Sequence, residues 1–320
     1  MGGCGLAELM MVRDWRSVPE AARGATVALG NFDGVHRGHA EVLRAAHAAR
    51  PASPRAVLSF APHPREFFRP DDPPFRLTLE AERAAALADL GVQILVELPF
   101  DRAFSALSAE DFIGLVLHQG LGVAHVACGA DFAFGHRRGG DVRLLAARCE
   151  ALGIGVSVVP HLDDAEGPIS STRIRRLLQD GYPERAAGLL GRDPVIRGIV
   201  VHGDARGRTI GFPTANIALG RHLEPARGVY AVSTRLADGR VLQGVANLGR
   251  RPTVAEGAIS RLEAHWFDFD GDLYGADLSV ALHHFIRDER KFESFEALRA
   301  QIKLDAEAAT AWFNARSNGA

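Results

Sequence analysis

The stretch Gly30 to His39, GNFDGVHRGH, directly follows the apolar run Thr26, Val27, Ala28, Leu29 and constrains this chain more than any other feature. A short β-branched run that breaks into glycine and reopens as a helix is how a parallel-sheet strand delivers a loop to a ligand. Gly30, Gly34 and Gly38 let the backbone come close to a bulky anion, and the N–H groups of a helix starting near Gly38 turn their positive end toward it. His36 and His39 sit three apart, so both face the same way in a helical first turn. A zinc site wants three or four protein ligands, and no neighbouring Cys or His completes the set. Two histidines at the start of a surface helix would be the plainer reading, but it leaves the glycines and the strand without a role. The pattern points to nucleotide phosphates, with Asn31, Phe32 and Asp33 in the same loop and the histidines stabilising charge that develops at phosphorus.

Composition removes several classes of function. Of 37 basic residues only Lys291 and Lys303 are lysines, and a Walker-type phosphate loop needs a lysine inside its glycine-rich turn. Phosphate chemistry here rests on arginine, histidine, backbone N–H groups and a divalent metal. The net charge of −2 argues against a nucleic-acid partner, and no apolar segment reaches the roughly 18 residues of a membrane span. Cys4, Cys128 and Cys149 form no CxxC pair and fit free thiols in a reducing cytoplasm. The start, MGGCGLAELMMVRDW, lacks a basic n-region and has Leu6 where a myristoylation signal needs Ser or Thr; Met10 and Met11 offer alternative starts.

At 320 residues the chain has room for two domains, and the patterning changes near Tyr182. Residues 12–182 alternate strand candidates (Thr26 to Leu29, Ala56 to Phe60, Gln93 to Leu98, Ala124 to Cys128, Gly155 to Val159) with helix candidates (Gly38 to Ala49, Leu79 to Leu90, Ala109 to His118, Asp141 to Leu152, Thr172 to Asp180). Such alternation predicts an α/β doubly wound parallel sheet with helices on both faces and ligands beyond the carboxyl ends of its strands. The unusual loops fall there: APHPREFF with His63 and Pro64, GADFAFGHRRGG with Asp131, Phe132 and Phe134, and the loop leading to GPISSTRIRR. Taken singly each loop has a plainer explanation, with Pro62 and Pro64 stopping a helix from forming and Phe132 and Phe134 simply core, but their shared position favours one site. In ISSTRIRR, Ser170, Ser171 and Thr172 are good N-caps, and Arg173 and Arg175 bring two guanidinium forks to one helix start, a set suited to clamping a triphosphate.

Residues 183–320 turn to period two over Val195 to Val201, Val229 to Thr234, Val241 to Ala246, Ile259 to Phe267 and Leu278 to Phe285, with Asp238 Gly239 and Asp270 Gly271 as hairpin turns. This predicts a small antiparallel β-barrel followed by helices from about Phe295. Its segment GDARGRTIGFPTAN offers Gly203, Arg206, Gly207 and Arg208 to phosphates and the neutral oxygens of Thr214 and Asn216 to a hard cation such as Mg²⁺, although loops of this composition are common. By periodicity alone Glu263, in RLEAHWFDFDGDLYG, is an outward-facing polar strand residue.

The loop resembles the His-x-Gly-His signature of the nucleotidyltransferase superfamily, and ISSTRIR is similar to that superfamily's ISSTxxR element. The fuller GNFDGVHRGH, together with GFPTAN and the final IRDERKFESFEAL, looks most like the bacterial bifunctional riboflavin kinase and FMN adenylyltransferase family, also called FAD synthetase. The resemblance implies MgATP used twice: riboflavin to FMN in the second half, FMN to FAD in the first. It implies Glu263 as the base for the ribityl hydroxyl, Thr214 and Asn216 on magnesium, and Pro213 beside the kinase nucleotide. Arg287 then contacts the kinase flavin, while His63, Pro64, Asp131, Phe132 and Phe134 contact the flavin of the transferase. SFAPHP departs from the family's more usual Thr before Phe and charged residue before PHP. The resemblance is compatible with a weak homo-oligomer. A kinase with an idle first half, a flavin-binding regulator that reads RNA, and a transferase with a non-flavin acceptor are the rival readings. The intact HRGH and SSTRIR oppose the first, Glu263 and the near-neutral charge the second; the phosphate motifs see only ATP and do not bear on the third.

Overall fold

The computed structural model describes residues 9–201, 214–251 and 259–317. The chain divides into two compact units, one holding the residues up to Asp72 with Glu80–Ile169, the other Pro73–Leu79 with everything from Ser170 on.

In the first unit, strands β1 (Met10–Val12), β2 (Thr26–Leu29), β3 (Arg55–Ala61), β4 (Ile94–Pro99), β5 (His125–Gly129) and β6 (Gly155–Val159) form one parallel sheet in the order β1-β4-β3-β2-β5-β6. Both faces are covered, which is why its central strands read as continuous apolar runs. Val27, Leu29, Leu58 and Val126 pack with Ile113, Val116 and Leu145 on one face, whereas Ala28, Val57, Leu95 and Ala127 pack with Val42, Ala46, Ala86 and Leu87 on the other. The helices are α1 (Arg37–Ala49), α2 (Pro64–Phe68), α3 (Glu80–Asp89), α4 (Arg102–Ser105), α5 (Ala109–Asp111) and α6 (Val142–Ala151).

Two expectations change, and one strand is new. The helix expected over Ala109 to His118 begins as α5 but runs on from Phe112 to Gly120 with π-helical bonding. Pro62 and Pro64 do not stop a helix: Pro64 occupies the first turn of α2, where its missing N–H is no loss. The edge strand β1, only three residues long, carries too little pattern to be read from sequence.

The second unit opens with α7 (Ser171–Gln179) and α8 (Pro183–Leu190), preceded by the small hairpin β7 (Asp163–Asp164) and β8 (Gly167–Pro168) of the first unit. Its strands β9 (Val195–Val201), β10 (Ala215–Ala218), β11 (Gly228–Arg235), β12 (Val241–Arg251), β13 (Ile259–Trp266) and β14 (Asp277–Asp288) close an antiparallel barrel in the order β10-β13-β12-β11-β14-β9. Inward residues such as Ile217, Leu248, Leu262, Ala264 and Val280 alternate with outward ones. The long helix α9 (Phe295–Ser317) lays Ala309 and Phe313 on the outward Val229, Ala231 and Val245. Asp238 Gly239 is the expected hairpin turn between the paired β11 and β12. Asp270 Gly271 is not a hairpin turn, because the strands it joins, β13 and β14, are not neighbours. A turn dipeptide marks a reversal of the chain, not which strand it then pairs with. Strand β10, inside a segment read as loop, fills the gap between β9 and β13.

Candidate active sites

In the first unit the loop after β2 lies where the order of strands reverses, since β2 sits between β3 and β5. Its backbone is unusual: Phe32 (φ 51°), Gly34 (φ 84°) and Val35 (φ 42°) are all in the left-handed region. The first and last of the three are held there by burial, with Phe32 and Val35 packed into the α1 and α3 face of the sheet. Gly30 donates its N–H to the Leu58 carbonyl (3.2 Å), so the loop leaves the sheet still tied to β3.

His36 is the N-cap of α1 and His39 is its third residue. The His36 Nδ1 accepts from the His39 backbone N–H and the His39 Nδ1 accepts from the His36 N–H, both at 3.3 Å, while the two rings stack at 3.6 Å between centroids. Because each Nδ1 is an acceptor, the proton of each neutral ring sits on Nε2. Both imidazoles thereby become Nε2–H donors oriented as one pair at a helix N-terminus, the end that attracts anions. A Cβ at Gly38 would lie 3.1 Å from the His36 ring and 3.2 Å from the Ile169 carbonyl oxygen, so any larger residue there must displace the His36 ring by a few tenths of an ångström.

His63 is also an N-cap: its Nδ1 accepts from Arg65 N–H (3.0 Å), and its own N–H donates to Glu66 (2.9 Å), with Pro64 next in α2. Around it the structure assembles aromatic rings that sequence reasoning missed. Phe100 meets Phe60, Phe67 and Phe68 at 5.4, 5.4 and 5.7 Å between centroids, and Phe68 is 63 % exposed. The available signal was that the strands β3 and β4 both run out into phenylalanine. Phe134 is buried in the core, Phe132 stacks on it at 5.4 Å, and Asp131 is exposed.

Ser170 caps α7, its hydroxyl accepting from the Arg173 N–H (3.3 Å), ahead of Ser171 and Thr172. Arg175 donates Nε to the Phe75 carbonyl (2.8 Å) and lies over the Phe75 ring. This contact, with the Ala226 N–H to Leu178 carbonyl bond, explains why α7 packs with the second unit.

In the barrel one row of outward residues runs across five strands. Asn216 on β10 stands opposite Glu263 on β13, Glu263 opposite Asn247 on β12, Asn247 opposite Val229 on β11, and Val229 opposite Arg287 on β14. Opposed residues on neighbouring strands have Cβ atoms about 5 Å apart, so Glu263 is flanked by two carboxamides. Asn247 was not singled out from sequence. Asn216 is buried and donates to the Thr214 carbonyl (3.3 Å), but its Oδ1 accepts no hydrogen bond among the described residues. An orphaned buried amide oxygen beside a threonine suits a hard cation. Arg287 forms a two-pronged ion pair with buried Asp305 of α9 (2.8 and 2.7 Å), which locks that helix against the barrel at the row's far end. Gly203, Arg206, Gly207, Arg208 and Pro213 lie outside the described residues.

A family model described as FAD synthetase matches residues 18–173, and one described as riboflavin kinase matches residues 190–313. Curated relatives named bifunctional riboflavin kinase/FMN adenylyltransferase include those of Haemophilus influenzae (40% identical, over 96% of this chain and 100% of the relative) and Escherichia coli K12 (41%, 95% and 98%). That of Bacillus subtilis is 36% identical over 93% of this chain and 95% of its own length. Among solved structures, one named as a macrolide-efflux protein from Streptococcus pneumoniae is similar with TM-score 0.85 and 34% identity, over 95% of this chain and 99% of that chain. No described helix here is long and apolar enough to cross a membrane.

Proposed function

Because the chain belongs to the bifunctional riboflavin kinase/FMN adenylyltransferase family and makes FMN from riboflavin and FAD from FMN with ATP, we propose how its residues divide that work. Residues 12–182 carry FMN adenylylation and residues 183–320 riboflavin phosphorylation, acting on small molecules in the cytoplasm.

In the kinase step Glu263 accepts the proton of the ribityl hydroxyl as that oxygen attacks the γ phosphate. The register that sets Glu263 opposite Asn216 is the observation that carries this assignment. Thr214 and Asn216 would hold magnesium, and the orphaned Asn216 Oδ1 supports the fit. When bound, the ion neutralises charge growing on phosphate oxygens. Arg287, steadied by Asp305, borders the flavin end of the site.

In the transferase step the FMN phosphate is already an anion and needs no base. The Nε2–H donors of His36 and His39 stabilise charge on the transferring phosphoryl group, and Gly30, Asn31, Phe32, Asp33, Gly34 and Gly38 shape the loop around it. Ser170, Ser171, Thr172, Arg173 and Arg175 hold the phosphates of the leaving pyrophosphate. His63, Pro64, Asp131 and Phe132 border the flavin, with Phe134 in the core behind Phe132, and they are joined by exposed Phe68, whose ring suits stacking on an isoalloxazine.

The test follows riboflavin, FMN and FAD by chromatography over time. Glu263→Gln is expected to reduce FMN formation at least about a hundredfold while FMN-to-FAD conversion continues. His36→Ala is expected to do the reverse. Wild-type phosphorylation in Glu263→Gln would refute the kinase assignment.

A further inference from the structure

Beneath the β2 loop lies an ion pair that neither reaction employs directly. Arg83 projects from α3 and is 1 % exposed, while Glu97 on β4 is 8 % exposed. The Arg83 Nη2 donates to Glu97 Oε1, and its Nη1 donates to the backbone carbonyl of Asn31 at 3.4 Å. The other buried residues of α3 are Ala86 and Leu87, so packing alone asks only for an apolar side chain at this position. Burying a guanidinium with its counter-charge gains little stability over an apolar pair of similar volume. The charge is better explained by what its second prong grips.

That grip falls at a demanding place. β4 lies two strands from β2 in the sheet, so the pair ties an outer strand to the loop of the central one. Asn31 directly precedes Phe32, the bulky residue at φ 51°, and the loop reaches the cap residue His36 four positions later. Phe32 anchors the loop from below through its ring in the core; Arg83 anchors it through the carbonyl immediately before.

We propose that Arg83, charge-balanced by Glu97, is a positioning residue for adenylyl transfer, holding the β2 loop so that its donors meet the transition state. This rests on the reading above that the loop handles ATP. Misplaced donors weaken the transition state more than the bound substrate, so the signature is a loss in kcat with little change in KM.

The experiment uses the full chain, with thermal unfolding as the control for folding and riboflavin phosphorylation, assigned above to the other unit, as a control for enzyme concentration. Arg83→Met/Glu97→Leu removes both charges of the pair together, so neither is left facing an absent partner. The expected result is an FMN adenylylation kcat at least about tenfold lower, KM for ATP within threefold, an unchanged phosphorylation rate and an unchanged thermal transition. Arg83→Lys keeps a cation for Glu97 but lacks the fork that also reaches Asn31, and is expected to show the same loss. If the double variant does not fold, Arg83→Lys decides. Wild-type kcat in a folded variant, or a change confined to KM, overturns the proposal. FAD formation that persists in His36→Ala would instead overturn the loop reading beneath it.

Discussion

Replacing Gly38 by alanine separates the catalytic demand on the β2 loop from its stability. The new Cβ would sit 3.1 Å from Nδ1 and Cε1 of His36 and 3.2 Å from the Ile169 carbonyl oxygen. Comfortable contact begins near 3.5 Å, so the His36 ring must move by about 0.4 Å. It has little room to do so, because the His39 ring stacks on it at 3.6 Å. If a misplacement of about 1 Å costs a hundredfold in rate, 0.4 Å scales to roughly sixfold. That is about 1 kcal/mol on the barrier. Helix propensity acts in the opposite sense, since Gly38 lies in the first turn of α1 and alanine gains up to about 1 kcal/mol over glycine. The expected outcome is a lower initial rate of FMN-to-FAD conversion, unaltered riboflavin phosphorylation, and an unfolding temperature that holds or rises. An FAD rate within twofold of wild type, or a parallel fall in both activities and in the unfolding temperature, would refute the reasoning.

Asp305→Ala leaves the Arg287 guanidinium without its buried partner, which costs about 3–5 kcal/mol and lowers the second unit's transition by roughly 10 °C in calorimetry; a fall under about 3 °C counts against it. Burial pushes the thiols of Cys128 and Cys149 up to about 11. At pH 8 the folded Cys4→Ser protein is therefore expected to release no thionitrobenzoate from Ellman's reagent, and two equivalents once denatured; reaction while folded would contradict the burial. Asp193 is held below the usual carboxylate value by its hydrogen bond from His283, against the opposing effect of burial. Its stabilisation is then fully present above about pH 4 and disappears as the pH falls through the lower folded value. Urea midpoints for wild type and Asp193→Asn should converge in acid, and a constant difference would exclude the linkage.

Much of the fold was legible because its signals are local. β2 and β6 have the bounds that their apolar runs indicate, and α1, α3, α6 and α7 begin and end within a residue or so of their caps and periodic faces. The chemistry of the β2 loop was equally local, since glycine spacing and two histidines three apart describe one turn of chain. Period two in β13 likewise settled that Glu263 and Leu262 face opposite sides. It carried no information on what stands beside Glu263, because strand neighbours come from barrel register: Asn216 lies 47 positions before it and Asn247 16. The same holds for Asp305 on Arg287, for the phenylalanines gathered from β3, β4 and α2, and for Arg83 beneath Asn31. Strands as short as β1 and β10 exist only through the partners that satisfy their backbone groups. Composition and local pattern determined which residues could do phosphate chemistry; only tertiary pairing decided which of them meet, because hydrogen-bond register and burial depend on chain segments that the sequence leaves far apart.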